Sequence, residues 1–161
     1  MTTSINQSAL ILNMNERLFT SALDGLTDAQ ASQRLSNHNN PAIWIATHTL
    51  WARYNMLSYL GKPVKNPFDK LFENFKPYNE ADSYPTLESL KNEWQKASGL
   101  LKDALQSVSE DVLAADAGHN TPIGDHSNGG TIAFLIQHES YDIGQLAFLK
   151  KYYTMEAMKY N

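Results

Sequence analysis

His138 and Asp142 stand four residues apart. On a helix that spacing puts them one turn apart on the same side, with headgroups able to converge on one point. A second imidazole, His48, lies in an earlier apolar-periodic segment. Together the three would form a facial set of two imidazoles and one carboxylate, able to hold a divalent ion and leave positions for water or substrate. Nickel, zinc, iron and manganese all suit such donors. The chain has no cysteine, so thiolate ligands, disulfides and a cysteine nucleophile are excluded and any metal is held by nitrogen and oxygen. The same residues also have an ordinary reading. A His/Asp pair one turn apart is a common structural hydrogen bond, and a histidine flanked by Trp44, Trp51 and Ala52 also reads as a satisfied, partly buried ring.

Three neighbours are candidates for supporting roles. Glu139 could accept a proton or stand behind the ligands, although it is displaced roughly 100° around the helix from His138. Tyr141 and Gln145 could hydrogen-bond near the centre. His119 and His126 fall in a polar, glycine-bearing stretch and read as solvated. Trp44, Trp51 and Trp94 occupy helical core positions. No phosphate-cradling glycine loop or serine nucleophile elbow is present, and no catalytic residue beyond the ligands is indicated.

Apolar spacing supplies the elements that position these residues. Ile5, Ala9, Leu12, Leu18, Ala22 and Leu26 recur at three-to-four spacing and predict a first helix, with a further helical turn in 28–35. Asn40-Pro41 predicts the start of a second helix, Asn40 capping it and Pro41 in its first turn, and Gly61 followed by Pro63 predicts its end near Leu60. Ile43, Ala46, Leu50, Tyr54 and Leu57 form one face, and His48 lies on the adjoining flank. The stretch from Lys62 to Pro85 holds Phe68, Phe72, Phe75, Tyr78 and Tyr84 without a sustained period. It is expected to be a long ordered loop whose aromatic surface packs across the mouth of a cleft. Pro85-Thr86 opens a third helix through Leu87, Leu90, Trp94, Ala97, Leu101, Ala104 and Val108. Thr131 is expected to cap a fourth helix that runs to about Tyr153 and carries His138 and Asp142 at the border of its apolar face.

With 161 residues, 42% of them hydrophobic, the chain suits one helical domain over 1–161. Its net charge of −4 and its scattered Lys and Arg residues argue against nucleic acid as a partner. No window reaches about 18 consecutive apolar residues, which argues against a membrane span, and Met1 to Gln7 lack the features of an export signal. The expected address is the cytoplasm. Four amphipathic helices with unequal connections predict an all-α four-helix bundle with at least one long crossover.

The segments Asn40-Pro-Ala-Ile-Trp-Ile-Ala-Thr-His48-Thr-Leu-Trp and His138-Glu-Ser-Tyr-Asp-Ile-Gly-Gln-Leu146 resemble the two signature segments of the DinB-like superfamily. That family includes DinB proteins, YfiT-type hydrolases and enzymes that use low-molecular-weight thiols. The resemblance covers nearly the whole chain. It implies an up-up-down-down four-helix bundle, often a homodimer, with a metal held by one histidine on the second helix and two on the last. His48 matches the first of these ligands and His138 the second. Asp142 stands where the family most often has histidine, followed by the family's Gly-Gln pair as Gly144-Gln145. A carboxylate binds the same class of ion but is shorter and harder than imidazole.

Two functions follow as expectations. One is a divalent-metal-dependent enzyme, a hydrolase or small-thiol transferase acting on a small molecule. The other is a non-catalytic dimeric bundle with a degenerate metal site that binds a small ligand or partner.

Overall fold

The periodic segments fold as four long helices: α1 (Thr3–Leu23), α3 (Ala42–Tyr59), α5 (Leu87–Ser107) and α7 (Asn128–Thr154). Short helices α2 (Asp28–Ala31), α4 (Asp69–Phe72) and α6 (Glu110–Ala114) lie in the connections. The structure is a computed structural model and describes residues 3–160. Among the described residues there is no strand, only an isolated bridge between Asp116 and Ser127.

Local chemistry sets the helix ends, twice in a different place from the expectation. At α5, the Thr86 hydroxyl accepts from the Ser89 amide at 3.2 Å, as predicted. At α3 the capping position is Pro41, with extended backbone and no side-chain cap, so Asn40 does not cap it. At α7 the cap is Ser127, whose hydroxyl accepts from the Gly130 amide at 3.0 Å. Thr131 lies inside that helix because Gly129 and Gly130 form its first turn, where amides are free of intrahelical partners and glycine is tolerated. Gly61 ends α3 in the left-handed region at φ 72°, and the Lys62 amide returns to the Leu57 carbonyl at 2.9 Å.

The helices alternate around the bundle, with α3 and α1 each packed against both α5 and α7. Residue pairs reveal their directions. Asp24 meets Lys91 and Glu16 meets Lys102, so α1 and α5 are antiparallel. Asn15 bonds Ser140 and the Ser21 carbonyl accepts from Lys150, so α1 and α7 are parallel. Thr49 meets Asp142 and Arg53 meets Glu139, so α3 opposes α7. The order is therefore up-down-down-up, which corrects the up-up-down-down arrangement implied by the resemblance. Periodicity carries no information about helix direction. Because α3 and α5 are parallel neighbours, the chain must travel back along a helix about 27 Å long before α5 begins. Residues 60–86 make that return beside α3: Asn66 donates to the Trp51 carbonyl at 2.9 Å, and Trp51 donates to Asp69 at 3.0 Å. This stretch is thus partly helical rather than entirely loop.

α3 is buried around most of its circumference, as a helix at the centre of a bundle must be. Its one charged core residue is Arg53. The guanidinium donates to both oxygens of Glu139 on α7, at 2.9 and 2.8 Å, to Ser98 on α5 at 2.6 Å, and to the Leu12 carbonyl on α1 at 3.3 Å. Its face lies 3.7 Å from the ring centre of Trp94. One side chain therefore ties α3 to the three other long helices.

Beside it, the buried Tyr54 hydroxyl donates to Glu93 at 2.6 Å. Burial first, then this hydrogen bond and the charge of Glu93, push the phenol well above its ordinary value. A phenol that stays protonated in the folded state contributes stability that is complete below its unfolded value of about 10 and is lost as the pH rises above it. Urea midpoints measured from about pH 9 to about pH 11 are expected to fall, with the decline shallower in Tyr54→Phe. Equal slopes in the two proteins would contradict this account.

Candidate metal centre

The opposed α3 and α7 bring His48, His138 and Asp142 together. One donor atom from each lies within 4.8 Å of the others. His48 Nδ1 is 3.2 Å from Asp142 Oδ2, and His138 Nε2 is 3.9 Å from the same oxygen. The two imidazoles meet edge to face, with ring centres 4.9 Å apart.

Asp142 is buried and held from two helices. Gln145, one turn on, donates to Oδ1 at 3.2 Å, and the Thr49 hydroxyl on α3 approaches Oδ2 at 3.2 Å. Thr49 also lies 2.7 Å from the Ile45 carbonyl, so its single proton is shared between two acceptors. His48 is oriented by aromatic faces. Trp44, four residues before it, stacks at 4.8 Å and 12°, and Trp51, three residues after it, at 5.6 Å and 23°. Phe72 from α4 closes in with its ring centre 5.2 Å from that of His48. Trp94 is core as expected, but Trp44 and Trp51 are only partly buried and serve as this clamp.

Burial pushes the His138 imidazole below its ordinary pKa, and His48 lowers it further, against the raising pull of Asp142 and Glu139. Near neutral pH it is therefore uncharged and has a lone pair to offer. The contact between His48 Nδ1 and Asp142 is a hydrogen bond in the tautomer that carries the ring proton on Nδ1. His138 Nδ1 is buried without a hydrogen-bond partner. Two imidazoles and one carboxylate, with donor atoms within 4.8 Å of one another, fit a divalent ion that binds such donors at about 2.0–2.2 Å.

The other predicted residues divide. Gln145 supports Asp142 directly. Glu139 does not join the centre, because its fully buried carboxylate is taken up by Arg53. Tyr141 is exposed and makes no hydrogen bond to the three ligands. His119 and His126 stay exposed in the connection before α7, the former donating to the Ala117 carbonyl at 3.0 Å. Sequence reasoning missed Thr49 and Arg53; Phe72 belongs to the aromatic stretch expected to cover a cleft, and with Phe75 and Tyr78 it lines the cavity beside His48. A signal for the clamp was present, since Trp44, His48 and Trp51 share one helical stripe at spacings of four and three.

A solved structure described as the conserved protein of locus from Enterococcus faecalis has the same fold. It aligns with a TM-score of 0.72 at 16% identity, over 97% of this chain and 99% of that one. No curated protein matches the sequence. No described helix is long and apolar enough to cross a membrane. The sequence matches the DinB superfamily over residues 11–146, a span containing His48, His138, Asp142 and the return segment between α3 and α5. The chain therefore belongs to the DinB superfamily.

Proposed function

We propose that this protein is a divalent-metal-dependent enzyme that acts on a small molecule by hydrolysis or by transfer of a small thiol. The observation that carries the reading is the convergence of His48, His138 and Asp142 beside an open cavity on which His48 borders. A divalent ion in such a centre supplies Lewis acidity, which makes a neighbouring water or thiol nucleophilic near neutral pH. The chain's own residues do the rest. His48 and His138 offer imidazole nitrogen, Asp142 offsets charge, Thr49 and Gln145 fix the carboxylate, and the tryptophan clamp fixes the imidazole of His48.

One observation favours a second reading. His48, Asp142, Thr49 and Gln145 already satisfy one another without an ion, as expected of a degenerate site in a non-catalytic bundle. In that case the exposed Tyr141, Phe148 and Tyr152, which share one face of α7, supply a surface for a second copy. Metal analysis of protein purified without an affinity tag separates the readings. The enzyme reading expects about one divalent ion per chain, lost in the His48→Ala/His138→Ala double variant, and a melting temperature that drops by several degrees with chelator. Full occupancy in the double variant, or melting indifferent to chelator, sinks it.

A further inference from the structure

Between α3 and the return segment lies a cavity of about 190 Å³, with His48 on its wall. Its other walls are mostly aromatic. Trp44, Trp51 and Phe72 surround one side, with Phe72 edge-on to Trp44 at 5.6 Å and tilted against Trp51 at 5.4 Å, and Phe75 and Tyr78 form the other. Phe75 is unusual on two counts. Its ring is 92% exposed, and it follows Asn74 with both residues in the left-handed region, at φ 57° and 54°. Bulky residues seldom adopt that conformation. The Lys76 amide, bonded to the Glu73 carbonyl at 3.2 Å, holds that turn, but the fold leaves the Phe75 side chain uncovered, and an apolar ligand at the cavity rim would cover it.

Size and charge narrow the ligand. An apolar cavity of about 150 Å³ is large enough for benzene, so this one suits a single ring and not a fused system. Among its lining residues the one formal charge is Lys76, which Asp82 neutralises at 2.7 Å. An anion gains little from a paired ammonium, and no carboxylate lines the cavity to hold a cation. Aromatic walls in tilted and edge-on arrangements favour another flat ring over a saturated one of similar volume.

We infer that this cavity is the subsite for a neutral, single-ring aromatic group of the substrate, with its polar substituent directed toward His48. Calling the ligand a substrate rests on the metal-enzyme reading. The binding itself does not, because none of the walls requires an ion.

The test follows the indole N–H signals of Trp44, Trp51 and Trp94 by NMR during titration with phenol, cyclohexanol and tetramethylammonium, all in the presence of chelator. Trp94 is fully buried and does not line the cavity, so it serves as the control. Phenol is expected to shift Trp44 and Trp51 saturably and leave Trp94 in place, with cyclohexanol about tenfold weaker, the upper end of what ring pairing adds to area burial. Tetramethylammonium is expected not to bind. Phe72→Leu keeps the apolar volume and removes a ring, while Phe75→Ala alters only an exposed side chain and carries the test if the first variant fails to fold. Each is expected to weaken phenol about threefold or more. Equal affinity for cyclohexanol, binding of tetramethylammonium, an absence of saturable shifts, or unchanged phenol affinity in Phe75→Ala overturns the inference. Metal content of the untreated sample separates the two readings: phenol binding without metal defeats only the enzyme, and metal without phenol binding defeats only the subsite.

Discussion

Glu139→Ala is expected to cost about 3–5 kcal/mol of stability, read as a lower urea midpoint with an unchanged slope. The reason is the environment left behind. Arg53 is 1% exposed and Glu139 fully buried, so deleting the carboxylate strands a cation that water cannot reach. Ser98 and the Leu12 carbonyl would still accept from the guanidinium, and Trp94 would still cover its face, but none of these carries charge. Removing both charges together is a different experiment. Arg53→Met with Glu139→Leu replaces the pair by apolar groups of similar length, and Ser98 keeps its bond to the Trp94 carbonyl at 2.6 Å. That double variant is expected to recover most of the loss, since a buried ion pair contributes little net stability over a packed apolar pair. A loss below about 1 kcal/mol in Glu139→Ala, the range of an exposed pair, would show that water enters the bundle centre.

Asp142→Asn is expected to weaken metal binding by more than the ~10–100-fold that loss of an outer-shell partner costs. The substitution keeps shape and removes the charge that faces both imidazoles. Gln145 and Thr49 remain in place to hold the amide, so melting of the metal-free protein should change little. Competition against a chromophoric chelator measures the affinity, and chelator-treated melting measures the control. An unchanged affinity would show that the two histidines bind without the carboxylate.

The legible parts of the molecule are those whose causes are local. The four long helices follow from apolar spacing, and the α5 cap from Thr86. The pairing of His138 with Asp142 follows from one turn of helix, and the three candidate side chains lie together. What was hidden depends on distant partners. Arg53 in an otherwise apolar helix reads as solvent-facing, and it becomes a core residue only through Glu139, 86 positions away. Phe72 reaches His48 from a segment with no period at all. Helix directions were hidden as well, because an amphipathic stripe is the same whichever way the helix runs. Asp142 in place of the family's usual histidine stood out in the sequence, whereas the Thr49 and Gln145 contacts that hold it became visible only with the fold.

The segment 60–86 walls the cavity from outside the four long helices, anchored on their core by Phe68 and Phe72. Its detachment is therefore a local opening, far less costly than unfolding the bundle. This segment is a strap over α3, and its opening would widen access to the cavity beside His48. Amides in the strap should exchange with solvent much faster than those of α3 beneath it, so the cavity wall can loosen while the bundle's global stability stays the same.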